Sequence, residues 1–183
     1  MADLRSAAAI LGSPERRAGI AYLVSIGGPL ERPPAGMRNV PEHLRLVFDD
    51  VHEADSGPSR DDVERLVSFA RKVDLSKGCV LVHCQAGIGR SSAAALVILS
   101  VVLGASHERE AAEYVLRHNP RAFPNRRLLE FADVVLGDGS GLWKAWATTA
   151  AIGEPEASRR TSGCRYKRNG ASYGSARDGG SPK

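Results

Sequence analysis

The segment from Gly78 to Leu103 constrains the fold of this chain more than any other. It begins with an apolar run ending at His83, which is typical of a buried β-strand, and a second apolar run from Ser92 predicts a buried helix. Between them, residues 83–91 read His-Cys-Gln-Ala-Gly-Ile-Gly-Arg-Ser. A loop between a strand end and a helix N-terminus is where α/β proteins bind ligands. The segment therefore predicts an α/β fold with a ligand site at this loop.

The residue types in this loop are those expected of a phosphate-binding site. Amide groups of a loop that enters a helix point inward, and the helix dipole adds positive potential there. Gly87 and Gly89 allow backbone angles that side chains disfavour, so that the amides can converge. Arg90 can bind two phosphate oxygens bidentately, which Lys cannot. We expect phosphate to be bound by the following residues: Gln85, Ala86, Gly87, Ile88, Gly89 and Arg90.

Cys84, at the start of the loop, is the candidate nucleophile. The same positive potential favours its thiolate form. A thiolate beside a bound phosphate can attack phosphorus and form a cysteinyl-phosphate, which divides one difficult step into two easier ones. Ser91 can donate a hydrogen bond to the departing thiolate in the second step.

The loop resembles the signature loop of the cysteine-dependent protein tyrosine phosphatase superfamily, and most closely its compact, dual-specificity-like branch and small bacterial tyrosine phosphatases. The resemblance is specific at 79–92 and extends over residues 20–137. It implies a central, mostly parallel sheet flanked by helices. It also implies hydrolysis of phosphomonoesters in phosphoproteins or phosphopeptides through a cysteinyl-phosphate. In this family the residue at His83 supports the thiolate through hydrogen bonds.

The resemblance also implies a general acid, an Asp on a separate loop that protonates the leaving oxygen. Asp50 fits best, because it follows an alternating strand pattern and lies 34 residues before Cys84. Asp49, 35 residues before Cys84, and Asp55, 29 residues before it, are the alternatives. Asn125 resembles the Asn of a Pro-Asn pair that fixes the loop backbone in dual-specificity-like members, and it is also a candidate helix N-cap.

The rest of the sequence predicts alternating strands and helices. Superfamily members usually begin with a strand before the first helix, whereas this chain starts almost directly with that helix. We therefore expect the sheet to lack its first edge strand. The predicted elements are a helix over 3–18, a strand over 21–26, a Pro/Gly-rich loop over 27–42, a strand over 43–48, a helix capped by Ser59 and Asp62, a helix over 107–118, and a helix from Asn125 to Leu136 that Gly137 ends.

Substrate class follows from what the loop and its surroundings contain. No segment resembles the phosphotyrosine-recognition loop of larger tyrosine-specific enzymes. We therefore expect a shallow pocket that accepts phosphotyrosine and is open to phosphoserine and phosphothreonine. The side chains of Gln85, Ala86 and Ile88 are uncharged, which disfavours phosphoinositides. Two alternatives stay open: a catalytically inactive phospho-binding protein, and a rhodanese-like sulfurtransferase, which fits the Arg-Ser ending of the loop less well.

Composition divides the chain near residue 137. Residues 138–183 are rich in Gly, Ser and Arg and carry the whole net charge of +4, so we expect a catalytic domain over 1–137 and a largely disordered basic tail over 138–183. Because residues 1–137 are charge-balanced, no nucleic-acid partner is expected. Three cysteines without framework spacing and the absence of a long apolar run predict a cytoplasmic protein that does not bind membranes. No cofactor or metal is expected, because the histidines lack metal-ligand spacing.

Overall fold

The computed structural model describes residues 1–137 and 141–152 and contains one parallel sheet. Its strand order is β2-β1-β3, and both pairings are parallel. Each strand begins and ends within one residue of its predicted position, and the predicted α/β class is confirmed. The strands are β1 (Ile20–Gly27), β2 (Glu42–Val47) and β3 (Cys79–His83).

The edge of β3 that faces away from β1 has no full partner strand among residues 1–137 and 141–152. Ala2 forms an isolated parallel bridge with His83, and its N–H donates to the Val82 carbonyl at 2.9 Å. Within these described residues the sheet thus has three strands, and no additional strand lies beside β3. Instead, the first residues of the chain run past the end of β3 and reach the loop that follows it.

Helices cover both faces of the sheet. Side chains of β1 accordingly point alternately into two separate cores. Leu23 packs in a small core with Ala7 and Leu11, whereas Val24 and Ile26 point into the larger core on the opposite face. The helices are α1 (Leu4–Gly12), α2 (Pro14–Arg17), α3 (Arg60–Ala70), α4 (Arg90–Leu103), α5 (Glu108–His118), α6 (Arg126–Leu136) and α7 (Leu142–Ile152). Helix α1 covers the face of the small core, and α3 to α7 form the layer on the other face.

The single helix predicted over 3–18 is divided into α1 and α2 at Ser13. Ser13 is extended, with φ −99° and ψ 119°, because a residue before proline is disfavoured in the helical region. Its hydroxyl accepts the Arg16 N–H at 3.4 Å and caps α2, where Pro14 occupies the first turn. The physical cause of the break is thus local and lies in the Ser-Pro pair.

Two helices next to the site, α3 and α6, begin at the capping residues predicted from the sequence. Ser59 and Asp62 form a reciprocal capping box at the start of α3. The Asn125 side chain accepts the Leu128 N–H at 3.1 Å, and α6 ends at Gly137 with φ 84° in the left-handed region. The Asn125 cap fixes the start of α6, where Asn125 is buried and its side chain contacts Asp50.

Part of the segment that the sequence analysis assigned to the tail forms a packed helix, α7. Helix α7 packs against α5 and α6, and Leu142 and Trp146 are buried in the larger core. The rest of the predicted tail, residues 138–140 and 153–183, lies outside the described residues. Within the described parts of the chain, no helix has both the length and the hydropathy needed to cross a membrane.

Candidate active site

The candidate site lies where the three strands end at the same edge of the sheet. Residues 84–89 connect the end of β3 to α4, which begins at Arg90. The segments that follow β1 and β2 reach the same place, since Glu31 and Asp50 both contact Arg90. A parallel sheet brings the carboxyl ends of its strands together, so residues distant in sequence meet around one loop.

Cys84 is buried, its thiol is free, and it lies beside two polar groups. The Gly87 N–H donates to Sγ at 3.2 Å, and Sγ lies 3.3 Å from the Ser91 hydroxyl oxygen. The structure therefore brings Cys84 and Ser91 together, as the sequence analysis expected. Ser91 is in the first turn of α4, so the sulfur lies at the positive end of the helix dipole.

The carbonyl groups of the loop are bound by residues outside it. Leu4 N–H donates to the Gln85 carbonyl at 3.2 Å, the Asn119 side-chain amide donates to the Gly87 carbonyl at 2.8 Å, and Phe123 N–H donates to the Ile88 carbonyl at 3.1 Å. Asn125 N–H contacts the next carbonyl, that of Gly89, at 3.4 Å. Segment 119–125 thus binds three consecutive carbonyls, and the sequence analysis identified only Asn125 within it.

Peptide planarity converts these outward carbonyls into inward amides. In a trans peptide, the carbonyl of one residue and the N–H of the next point in opposite directions. The N–H groups of Ala86, Ile88 and Gly89 therefore point away from the outer partners, toward the inside of the loop. The N–H of Arg90, the residue after Gly89, illustrates the use of such an inward amide: it donates to the carboxylate of Asp50 at 3.3 Å. The loop thus already binds one carboxyl group of the protein itself.

The two loop glycines are required for different reasons. Gly87 has φ +74°, in the left-handed region, and a Cβ there would lie 2.9 Å from the backbone nitrogen of Asp3. Gly89 has φ −92°, which other residues also adopt, so the predicted need for unusual backbone angles is wrong at this position. A Cβ on Gly89 would instead collide with the Asp50 carboxylate. Gly89 is therefore needed for the close approach of Asp50.

The Arg90 side chain is buried and held by acceptors from two other segments. Its Nη1 donates to the Phe48 carbonyl at 2.9 Å and to the Glu31 carboxylate at 3.2 Å. Its Nε is 4.0 Å from the Asp50 carboxylate and has no hydrogen-bond partner within the described residues. A buried donor without a partner is costly, so an oxyanion that accepts from Nε would be favourable here.

Glu31 is a site residue that the sequence analysis missed. Its carboxylate accepts the Gly28 N–H at 2.7 Å in addition to its contact with Arg90. Burial alone would raise the pKa of Glu31, but the Gly28 hydrogen bond and the charges of Arg90 and Arg45 outweigh burial and lower it. Glu31 is therefore ionised at neutral pH. The available signal was its position in the loop after a parallel strand, at the ligand-binding edge.

Among the three candidate acids, Asp50 is the one that contacts the loop. One carboxylate oxygen accepts the Arg90 N–H, and the other accepts the Asn125 side-chain amide at 3.0 Å. Asp49 lies beside Gly28 instead, and Asp55 is exposed. Asn125 also donates to the Val51 carbonyl at 3.3 Å while it caps α6. Its two predicted roles, as N-cap and as a support of the site, are compatible in one side chain.

His83 is buried next to Cys84, but its ring contacts the backbone. Nδ1 is 3.4 Å from the Cys84 carbonyl, and Nε2 has no hydrogen-bond partner in the described part of the chain. Because a carbonyl only accepts, the proton lies on Nδ1. Burial lowers the pKa of His83 and is the largest effect. The hydrogen bond to the Cys84 carbonyl raises this pKa, and the charge of Arg45 lowers it. The described hydrogen bonds thus connect His83 to the loop backbone and not to the sulfur.

The lowered pKa of His83 predicts a loss of stability at mildly acidic pH. The unfolded chain binds a proton near pH 6.5, whereas the folded chain binds it only at lower pH. Stability from this group is therefore complete above that value and decreases as the pH falls below it. We expect the urea midpoint of the wild type to fall between pH 7.5 and pH 5.5, and that of His83→Asn to change less over the same interval. Equal changes in the two proteins would contradict this assignment.

Comparison with known proteins identifies the class of this fold. The chain is 37% identical over 67 residues to human dual specificity protein phosphatase 16, a match that covers 37% of this chain and 10% of that protein's length. Human DUSP28 matches in structure with a TM-score of 0.53 and 24% identity, covering 70% of this chain and 83% of that one. A mouse putative dual specificity phosphatase, crystallised with zinc tungstate, gives a TM-score of 0.54 and 24% identity, with 82% of each chain covered.

These likenesses show that the chain has the dual-specificity phosphatase fold. No protein-family model matches the chain. The sequence match spans a tenth of the curated relative it was found in, so that protein's further regions have no counterpart in the comparison. The expected resemblance to the cysteine-dependent phosphatase superfamily is thereby confirmed at the level of fold.

Proposed function

We propose that this protein is a phosphoprotein phosphatase that hydrolyses phosphomonoesters through a cysteinyl-phosphate intermediate. The observation that carries the proposal is the loop around Cys84. Its sulfur lies at the N-terminus of α4, its carbonyls are bound from outside, and its Arg90 N–H already binds a carboxylate. An anion site built around a free thiol suits attack on a bound phosphate.

In the first step, the Cys84 thiolate attacks phosphorus and the bond to the leaving oxygen breaks. Arg90 and the inward amides hold the phosphoryl oxygens, and Asp50 donates its proton to the leaving oxygen. In the second step, water attacks phosphorus and gives a proton to Asp50 as the S–P bond breaks. The departing thiolate accepts a hydrogen bond from Ser91, whose oxygen is 3.3 Å from Sγ in the unliganded site.

Asp50 must change partners during this cycle. Its contact with the Arg90 N–H occupies an amide that a phosphoryl oxygen would use. We infer that phosphate displaces Asp50 from this amide toward the leaving group, while Asn125 keeps hold of its other oxygen. The same displacement would remove the Asp50 oxygen that lies 4.0 Å from the Arg90 Nε and let a phosphoryl oxygen take its place beside this donor, which is unpartnered among the described residues.

The substrates that suit this loop are phosphotyrosine and, with a shallow pocket, phosphoserine and phosphothreonine. Gln85 and Ala86 are exposed and uncharged, so the loop adds no side-chain cation for a second phosphate group. The direct test is hydrolysis of p-nitrophenyl phosphate by the full chain, with competitive inhibition by vanadate. Absence of any phosphate release, with the protein folded, would refute the proposed activity.

Replacement of Asp50 by Asn should slow catalysis most for substrates with poor leaving groups. Asn cannot donate the acidic proton, and loss of a general acid costs about 10²-fold or more. We expect this loss of kcat with phenyl phosphate or phosphotyrosine, and a smaller loss with p-nitrophenyl phosphate, whose leaving group needs less help. Single-turnover rates with the three substrates measure the difference.

Asp49→Asn and Asp55→Asn are the matched controls, because they remove the same charge from the same loop. Both should keep the wild-type dependence on the leaving group. If Asp49→Asn or Asp55→Asn, in place of Asp50→Asn, selectively loses activity on phenyl phosphate, the general acid is that residue.

Phosphate binding without turnover is the second candidate function. It is favoured by one observation: both Asp50 oxygens accept hydrogen bonds, and one of these bonds blocks a loop amide. If Asp50 cannot leave this position, the protein binds phosphorylated ligands weakly and does not hydrolyse them. Phosphopeptide binding by the wild type, without phosphate release over hours, would select this function.

A further inference from the structure

A groove leads away from the candidate site along β2. A cavity of about 500 Å³ lies between residues 28–33 and the end of β2, and a second of about 670 Å³ lies between residues 33–39, β2 and α3. Pro33 and Arg45 line both cavities, so the two are adjacent. Together they are lined by residues from 28 to 47 and by Arg65 of α3, a larger surface than a phosphate group alone can contact.

The groove begins next to the phosphate-binding side chain. Glu31 lines the smaller cavity, and its carboxylate is the group that contacts Arg90 at 3.2 Å. Arg45 continues the chain of contacts, since its Nη2 donates to the Glu31 carbonyl at 2.5 Å. On the far side, the Arg65 Nη2 donates to the Arg45 carbonyl at 3.0 Å. The larger cavity is thus connected to Arg90 of the loop through Arg45 and Glu31.

The larger cavity is basic. Arg38, Arg45, Arg65 and His43 line it, and its lining contains no Asp or Glu. Arg38 is exposed and makes no ion pair or hydrogen bond through its side chain within the described residues. A cation without a partner in a concave surface is available to an anionic ligand.

Nearby carboxylates offset only part of this charge. Asp62 forms an ion pair with Arg65 at 3.8 Å, and its other oxygen accepts hydrogen bonds from the Ser59 N–H and hydroxyl in the capping box of α3. In the smaller cavity, the Glu31 carboxylate is occupied by Arg90 and by the Gly28 N–H. The far end of the groove therefore keeps an excess of positive charge.

We propose that this groove binds the residues that flank the phosphorylated residue of a protein substrate, and that it selects acidic ones. The inference rests on the proposed function in one respect, that the phosphorylated residue enters the loop at Cys84. Acidic side chains of the peptide then lie against Arg38 and Arg65 while the phosphate is held by Arg90. Charge complementarity between such a groove and its ligand raises the association rate and gives specificity.

The test uses the full chain carrying Cys84→Ser, in which we expect no turnover, and two fluorescent phosphotyrosine peptides. One peptide has Asp and Glu on both sides of phosphotyrosine, and the other has Asn and Gln at the same positions. We expect the acidic peptide to bind about fivefold to twentyfold more tightly at low salt, since each exposed ion pair is worth roughly twofold to fivefold. The ratio should decrease as ionic strength increases.

Arg38→Gln with Arg65→Gln should reduce this ratio to about twofold or less. The matched control is Arg109→Gln with Arg117→Gln on α5, which removes the same charge from another part of the surface. Arg38→Gln alone should have a partial effect, and it leaves the Arg65 contact with β2 intact. Thermal unfolding checks that each variant is folded.

Equal affinity for both peptides in the starting protein would overturn the inference, and so would an acidic preference that survives in Arg38→Gln with Arg65→Gln. A preference lost equally in the α5 control would also overturn it, because net charge would then be the cause. The proposed hydrolysis is judged separately by p-nitrophenyl phosphate turnover in the wild type. A protein that binds the acidic peptide through the groove but never hydrolyses it would support this inference and refute the proposed activity.

Discussion

The Cys84→Ser variant is expected to lose aryl-phosphate turnover by about 10⁴-fold or more, the scale of losing a nucleophile. A serine hydroxyl is not ionised at neutral pH, and among the described residues the polar groups that contact Sγ are the Gly87 N–H and the Ser91 hydroxyl, neither of which is a base. Serine is close to cysteine in size, so the buried position should accept it. The variant should therefore still bind phosphate.

Initial rates with p-nitrophenyl phosphate and phosphopeptide affinity together test this expectation. Mass spectrometry of acid-quenched wild type should detect one added phosphoryl group, and the variant should show none. Turnover by Cys84→Ser within tenfold of wild type would mean that another group attacks phosphorus. Loss of both turnover and binding, with the fold intact, would mean that the sulfur also holds the loop in shape, in addition to any role as the nucleophile.

The strand-loop-helix segment was predictable because its signals are local. The apolar runs on either side of the loop define β3 and α4, and the caps at Ser59 and Asn125 define the starts of α3 and α6. The residue types between Cys84 and Ser91 were enough to predict an anion site there, although residues outside the loop hold it in place. Each of these predictions depends on neighbours within a few positions, and no long-range contact was needed.

The choice among three acids and the identity of Glu31 depended on tertiary structure. Asp50 reaches Arg90 across 40 positions in sequence, and Glu31 reaches it across 59. Asn119 binds the Gly87 carbonyl through a contact that spans 32 positions. Spacing could restrict the acid to a few candidates, but only the arrangement of strand ends decides which carboxylate contacts the loop.

The structure differs from the sequence-based prediction in two helical segments, and in both the prediction relied on composition more than on local sequence signals. Residues 3–18 have the composition of one helix, yet the Ser13-Pro14 pair contained the information that divides it. Helix α7 lies in the segment 138–183, whose later residues are polar and basic, and its composition was judged together with theirs. Trp143 and Trp146 were the local signal that part of this segment packs on the domain, and Trp146 is buried in the larger core with Leu142.

The Arg90→Lys variant is expected to lose about 10³-fold in kcat/KM, within the range found when an arginine that stabilises phosphoryl transfer is removed. Lys has no planar fork, so it cannot bind two phosphoryl oxygens while also satisfying the Phe48 carbonyl and Glu31. The loss should appear in kcat as well as in KM, because the second contact matters most in the transition state. Steady-state kinetics and the inhibition constant of inorganic phosphate measure the two parts.

Arg60→Lys is the conservative control, since Arg60 forms an exposed ion pair with Glu64 on α3, away from the loop. It should keep wild-type kinetics, and thermal unfolding of Arg90→Lys shows whether the buried site still folds around a smaller cation. A folded Arg90→Lys variant with kcat/KM within tenfold of wild type would mean that charge alone suffices. The inward amides of the loop, rather than the guanidinium fork, would then be the main groups that hold the transferring phosphoryl group.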